Sequence, residues 1–296
     1  MENKNILKRI FSGRQGKNLR EYLTAYAFIF PATFLIFLFG IFPVGFALYV
    51  SLHKWRIKRG EIIGLKNYVD AIDNLAYVLV FFLGIGALVG VYFLIKRIYT
   101  LAREHGDRPW LAIIPGFINA LVTLAFLSWV YQLLPEVLAI ADKLRGLERT
   151  QEVFFRLLGE AFRAESVQPA WRILLWLILA SILAGGVVLY FWRNRRNYNY
   201  QAYFALVFLA LAAGIGLLYY TYGQVNLAYT AAVETGSDPG IWPQVITISS
   251  GIILLLFAWF IWRRAERQLT NRSFWLHLLA ATTLLVGGWL LIGELP

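Results

Sequence analysis

No cysteine occurs anywhere in the 296 residues, which removes disulfide frameworks, thiolate nucleophiles and cysteine-based metal sites together. Histidine is almost as scarce: His53, His105 and His277 are scattered along the chain and offer no metal cluster. Charged residues make up only 15%, against about 25% in a typical soluble domain. Apolar residues take their place. The chain is 59% hydrophobic and 17% aromatic, with 11 Trp and a mean hydropathy of +0.60. A water-soluble core of this length could not absorb so much apolar surface. Composition therefore excludes a soluble domain, disorder, collagen and a coiled coil, and predicts an integral membrane protein.

A helix crosses the hydrocarbon core with about 20 apolar residues. Seven stretches qualify: 22–52, 75–95, 110–134, 171–192, 202–222, 245–262 and 274–292. The first contains Pro31 and Pro43, so a tilt or kink is expected there. It is too long for a signal peptide, and no small-residue cleavage site follows it. The predicted fold is all-α, a polytopic helical membrane bundle.

The net charge of +11 raises the question of nucleic acid, but its placement answers it. Basic residues crowd the amino-terminal tail (Lys4, Lys8, Arg9, Arg14, Lys17, Arg20) and the loops after spans 2, 4 and 6 (Lys96, Arg97, Arg103 and Arg108; Arg193, Arg195 and Arg196; Arg263, Arg264, Arg267 and Arg272). The loop after span 5 has only Glu234 and Asp238, and the tail after span 7 only Glu294. The positive-inside rule then puts the N-terminus in the cytoplasm and the C-terminus outside, with no role for nucleic acid. Segment 53–74 opposes this with Lys54, Arg56, Lys58, Arg59 and Lys66, offset by Glu61, Asp70 and Asp73.

Spans 2, 4 and 6 end alike, in Tyr92-Phe93-Leu94-Ile95-Lys96-Arg97, Tyr190-Phe191-Trp192-Arg193 and Trp259-Phe260-Ile261-Trp262-Arg263-Arg264. Three helical hairpins, 2–3, 4–5 and 6–7, are one reading; the aromatic belt and cytoplasmic arginine common to membrane proteins are the other. Between spans 3 and 4, Val137, Ile140, Leu144 and Leu147, then Val153, Leu157 and Phe162, fall at helical spacing around a break at Gly146. They predict an amphipathic helical pair over 135–170, lying on the outer surface or capping the bundle. Gly86 and Gly90, with Gly84 nearby, form a Gly-x-x-x-Gly pair that predicts close helix packing.

Chemistry is sparse. Ionisable groups inside a membrane mark function by default, and no Asp or Glu sits mid-span. That argues against proton pumps, carboxylate exchangers, retinal proteins and aspartyl intramembrane proteases. No Walker sequence, catalytic set, metal site or cofactor site is found, so no enzyme is expected. Arg172 and Glu165 read as ordinary interfacial charges.

The first seventy residues are more specific. A basic tail over 1–21 leads into Tyr26-Ala27-Phe28-Ile29-Phe30-Pro31-Ala32, then Ile41-Phe42-Pro43, then Tyr49-Val50-Ser51-Leu52 with Trp55, and finally Ile63-Gly64-Leu65-Lys66-Asn67-Tyr68. Over about residues 18–74 this resembles permease subunits of carbohydrate-type, binding-protein-dependent ABC importers, the maltose and glycerol-3-phosphate uptake kind. That family opens with a basic tail, a first span containing "LPA" and "YP", a "SF…W" exit and an outer "FVGLxNY" segment. Here Phe30 stands for the Leu, Phe42 for the Tyr, Leu52 for the Phe and Ile63 for the Val, with order and spacing kept. The positions that carry the resemblance are Pro31, Pro43, Gly64, Asn67 and Tyr68.

The resemblance implies a plasma-membrane permease subunit working with a second permease, ATPase subunits and an extracytoplasmic solute-binding protein. It also implies a transport core with an "EAA…G" coupling loop after the first span and outer segment (22–74). No such loop is found; Glu160-Ala161-Phe162 and Ala231-Ala232-Val233-Glu234 are not matches. Residues 75–292 read instead as a six-span helical insertion, and the tail 293–296 ends where the core would begin. The chain is then either the amino-terminal part of a longer importer for sugars or related solutes, or a non-transporting accessory or scaffold protein derived from one. Substrate contacts, which the family draws from that core, stay unassigned.

Overall fold

The computed structural model describes residues 14–55, 59–145, 150–191, 200–236, 240–266 and 272–294. The basic residues at 4–9 and 193–196, Arg56, Lys58, Arg267, Gly146 and Leu147 lie outside them. Two compact units divide the chain, one up to Ala76 and one from Tyr77 to Leu295. Seven helices are long and apolar enough to cross a membrane, beginning at Thr24, Leu75, Pro109, Gln168, Tyr200, Ile241 and Ser273. The protein is an all-α polytopic membrane protein.

In the first unit, α1 (Arg14–Ile36) runs through Pro31, turns into a five-residue π segment (Phe37–Ile41) and continues as α2 (Phe42–Ser51). Pro43 explains the switch. It has no N–H to donate, and its ring crowds the carbonyl four residues back. Widening the preceding turn, with the Phe42 N–H bonded to the Phe37 carbonyl, relieves that crowding. The expected distortion is thus a local change of helical pitch, with no break in the helical path. At the exit the chain forms a small antiparallel hairpin, β1 (His53–Trp55) against β2 (Arg59–Ile62), which the helical reading of the sequence did not include. A short helix, α3 (Lys66–Ile72), follows.

The second unit holds α4 (Leu75–His105), α5 (Ile113–Lys143), α6 (Gln151–Phe162), α7 (Gln168–Phe191), α8 (Tyr200–Glu234), α9 (Ile241–Glu266) and α10 (Arg272–Ile292). Helix α4 outruns its apolar stretch and stops at Gly106, which takes φ +64 so that the Asp107 N–H reaches the Ala102 carbonyl at 3.0 Å. Only glycine adopts that conformation without strain, and the bond back across the last turn closes the helix.

Among the described residues α9 packs against α10, as the hairpin of spans 6 and 7 predicts, whereas α5 (span 3) lies against α7 and α8 (spans 4 and 5), across the other two hairpins. Helix α4 meets α8 in a core of Val91, Ile98 and Leu101 with Tyr200, Phe204 and Val207. The glycine pattern needs correcting here. A methyl group on Gly86 or Gly90 would meet nothing within 4 Å, whereas one on Gly84 would lie 3.2 Å from the Gly214 carbonyl. Two residues on a helix is about 200° of rotation, so the Gly86–Gly90 stripe lies on the face opposite the one that packs.

The segment after span 3 also differs from expectation. Its first half is no separate helix, because α5 continues through Pro135 to Lys143. The second half is α6, started by Thr150, whose hydroxyl accepts the Val153 N–H at 3.3 Å, with Glu152 in the first turn. Ile140 packs on Leu157 and Ala161, flanked by Val137, Leu144 and Val153. The amphipathic spacing read from the sequence therefore describes one helix end folded against the next helix.

Candidate functional sites

The family-resembling residues divide into two groups. Pro31 and Pro43 sit within the first helical path. Gly64, Asn67 and Tyr68 instead converge on its exit. A helix C-terminus leaves its last four carbonyls without intrahelical partners, and here each is satisfied. Leu48 accepts from the Ser51 hydroxyl at 2.8 Å, Tyr49 from His53 Nδ1 at 2.7 Å, and Val50 from the Leu52 N–H. Ser51 accepts from Asn67 Nδ2 at 2.8 Å. The Leu52 carbonyl, one residue further, accepts the Ile63 and Gly64 N–H groups at 2.9 and 3.2 Å.

Each side chain has a definite part in this clasp. Since the Ser51 hydroxyl donates to Leu48, the Tyr68 hydroxyl, 2.6 Å away, donates to Ser51. Gly64 takes φ +60, the left-handed region that the turn back to Leu52 requires. Trp55 stands edge-on to Phe46 and Tyr49, with centroids 6.0 and 6.4 Å apart. His53, 2% exposed, lies against the Tyr49 ring at 4.3 Å; its Nδ1 carries the proton given to the Tyr49 carbonyl, and its Nε2 is buried without a hydrogen bond.

The second unit contains a cavity of about 370 Å³ lined by Trp129, Phe162, Arg163, Gln168, Trp171 and Arg172. Three helices build it. Trp129 of α5 lies 5.9 Å from the Phe162 ring of α6 and 5.3 Å from the Trp171 ring of α7. Arg163 closes the C-terminus of α6, and Gln168 opens α7. Gln168 Nε2 donates to the Arg163 carbonyl at 3.1 Å, while its Oε1 accepts from Arg172 Nη2 at 3.3 Å. Arg172, an ordinary boundary charge by sequence, thus belongs to a structured site. No signal in the sequence singled it out, because the site exists only where residues 129, 162 and 171 meet.

Deeper between α5 and α7, the Ser181 hydroxyl donates to Asn119 Oδ1 at 2.5 Å. His277 bonds through Nδ1 to the Ser273 carbonyl of its own helix at 2.7 Å and stands edge-on to Trp262 of α9. Among the described residues, no three of His, Asp or Glu gather as metal ligands.

The fold defines the class, a multi-pass α-helical membrane protein with an aromatic–arginine cavity at one end of its spans. No protein-family model matches the chain, and neither the curated proteins nor the solved structures yield one similar to it.

Proposed function

We propose that this chain is a membrane-spanning permease subunit, or the amino-terminal part of one, of an ATP-driven importer for sugars or related solutes. It sits in the plasma membrane with a cytoplasmic N-terminus and performs no covalent chemistry itself. One observation carries the reading. The motif pieces that resemble the permease family, Tyr49–Trp55 and Ile63–Tyr68, are separate in sequence yet form one hydrogen-bonded clasp around Ser51 and Leu52. Residues with that shared structural task are a stronger basis for a resemblance than isolated letters.

The test is purification from native membranes in mild detergent, followed by mass spectrometry. Stoichiometric recovery of an ABC ATPase and a second permease, with an extracytoplasmic solute-binding protein recruited on adding solute, is the expected result. Isolation without an ATPase under conditions that keep other importers intact refutes it. That second outcome favours an accessory or scaffold protein.

A further inference from the structure

Two cations share a cavity that contains no anion. Arg163 and Arg172 line the space between α5, α6 and α7, and neither is ion-paired with a described carboxylate. The nearby Glu136 is already engaged, accepting from the Ser166 hydroxyl at 3.0 Å and lying 3.9 Å from Lys143 Nζ. Gln168 joins the two arginine positions through its amide. The rest of the lining is aromatic, with Trp129 against both Phe162 and Trp171. A ligand that satisfies both parts of the lining has an anionic group attached to an apolar body.

Depth in the membrane narrows the choice. The apolar stretch of α7 begins at Gln168, so the cavity lies where hydrocarbon gives way to water. Helix α6 beside it is amphipathic, burying Leu157 and Ala161 while exposing Glu152 and Glu160. Tryptophan favours this same boundary, and an arginine pair matches a phosphate through several N–H donors at once. The cavity volume falls within the range of small-ligand sites, about 300–1,000 Å³.

We propose that this cavity binds the phosphate of an anionic phospholipid headgroup, with Arg163 and Arg172 on the phosphate and the Trp129–Trp171–Phe162 wall against the glycerol and upper acyl chain. The inference is independent of the transport reading: it holds equally for an importer subunit and for a scaffold.

Native mass spectrometry of the full chain, delipidated and then titrated with phosphatidylglycerol or phosphatidylcholine, tests it. Both lipids carry the phosphodiester, but the choline ammonium of phosphatidylcholine offsets its charge beside the two arginines, so phosphatidylglycerol is expected to bind more tightly by about 30-fold, from about fivefold for each arginine. Arg163→Gln with Arg172→Gln abolishes that preference, whereas Lys96→Gln, which changes an exposed cation of α4 outside the cavity, leaves it. Equal binding of the two lipids by the wild-type chain overturns the proposal, as does a preference that survives the double substitution. Soluble glycerol phosphate, added in millimolar excess, separates the two sources of the same chemistry. Retention of the bound lipid supports a membrane ligand, and its displacement assigns the site to a soluble phosphate ester instead. If the double variant does not fold, the wild-type lipid preference and the single variant Arg172→Gln decide, the latter expected to lose about fivefold.

Discussion

Gly251 and Gly287 face each other across the α9–α10 contact so closely that a methyl group on either would lie 3.0–3.1 Å from the other's carbonyl oxygen. Without a hydrophobic driving force between helices in lipid, their association rests on close van der Waals contact, which small residues permit.

Gly251→Ala is therefore expected to destabilise the protein by about 1–3 kcal/mol, the ordinary cost of overpacking. Both Leu291 and the Gly287 carbonyl must move to admit the methyl group. Gly86→Ala, at a position with open space around it, should leave stability unchanged or slightly higher, because alanine is the better helix former. Thermal unfolding of the detergent-solubilised protein compares the two. Equal losses in both variants would mean that the stripe at Gly86 also packs.

At the first-span exit, Gly64→Ala places a side chain at φ +60 and is expected to cost about 1–2 kcal/mol. Tyr68→Phe removes the hydroxyl given to Ser51, for about 0.5–1.5 kcal/mol. Hydrogen exchange at the Ile63 amide, which bonds to Leu52, reads the clasp directly. Faster exchange is expected in both variants, and unchanged exchange would show that the hairpin holds without these contacts.

The Asn119–Ser181 pair gives a third measurement. Hydrogen bonds between spanning helices average about 0.6 kcal/mol, with a maximum near 1.7. Ser181→Ala and Asn119→Leu, alone and together, form a double-mutant cycle whose coupling should fall in that range. A coupling of zero would mean that each group finds an equivalent partner once the other is removed.

Trp129→Ala tests the cavity wall without touching its charge. This ring lies against both Phe162 and Trp171, so its loss is expected to weaken retention of the bound phospholipid while leaving the preference for an anionic headgroup in place. Native mass spectrometry reports both quantities. A variant that loses the preference while keeping total binding would reassign the discrimination to the aromatic wall.

Several features were legible before any coordinates. The seven spans follow from apolar length alone, since every backbone group in hydrocarbon must bond within its own helix. The helical spacing of Val137, Ile140, Val153 and Leu157 correctly marked a packed amphipathic face. Other features required the fold. The third apolar stretch ends at residue 134, yet α5 carries on through Pro135, because the apolar contact of its last turns with α6 outweighs one lost backbone bond. The Gly86–Gly90 spacing matched a packing motif, but a repeat of four residues states only that two glycines share a face; it does not say which face meets a neighbour.

The sequence by itself determined that this chain crosses a membrane as helices, because hydropathy and span length are local properties that each segment carries alone. Only the tertiary structure decided which residues act together. Asn67 carries a resemblance in sequence but shows its task only where it meets the Ser51 carbonyl, and Arg172 is an interfacial charge until Gln168 bonds it at the cavity that Trp129 and Arg163 also line. Such sites depend on contacts between helices far apart in the chain, and those contacts are set by how the helices pack, which no single segment encodes.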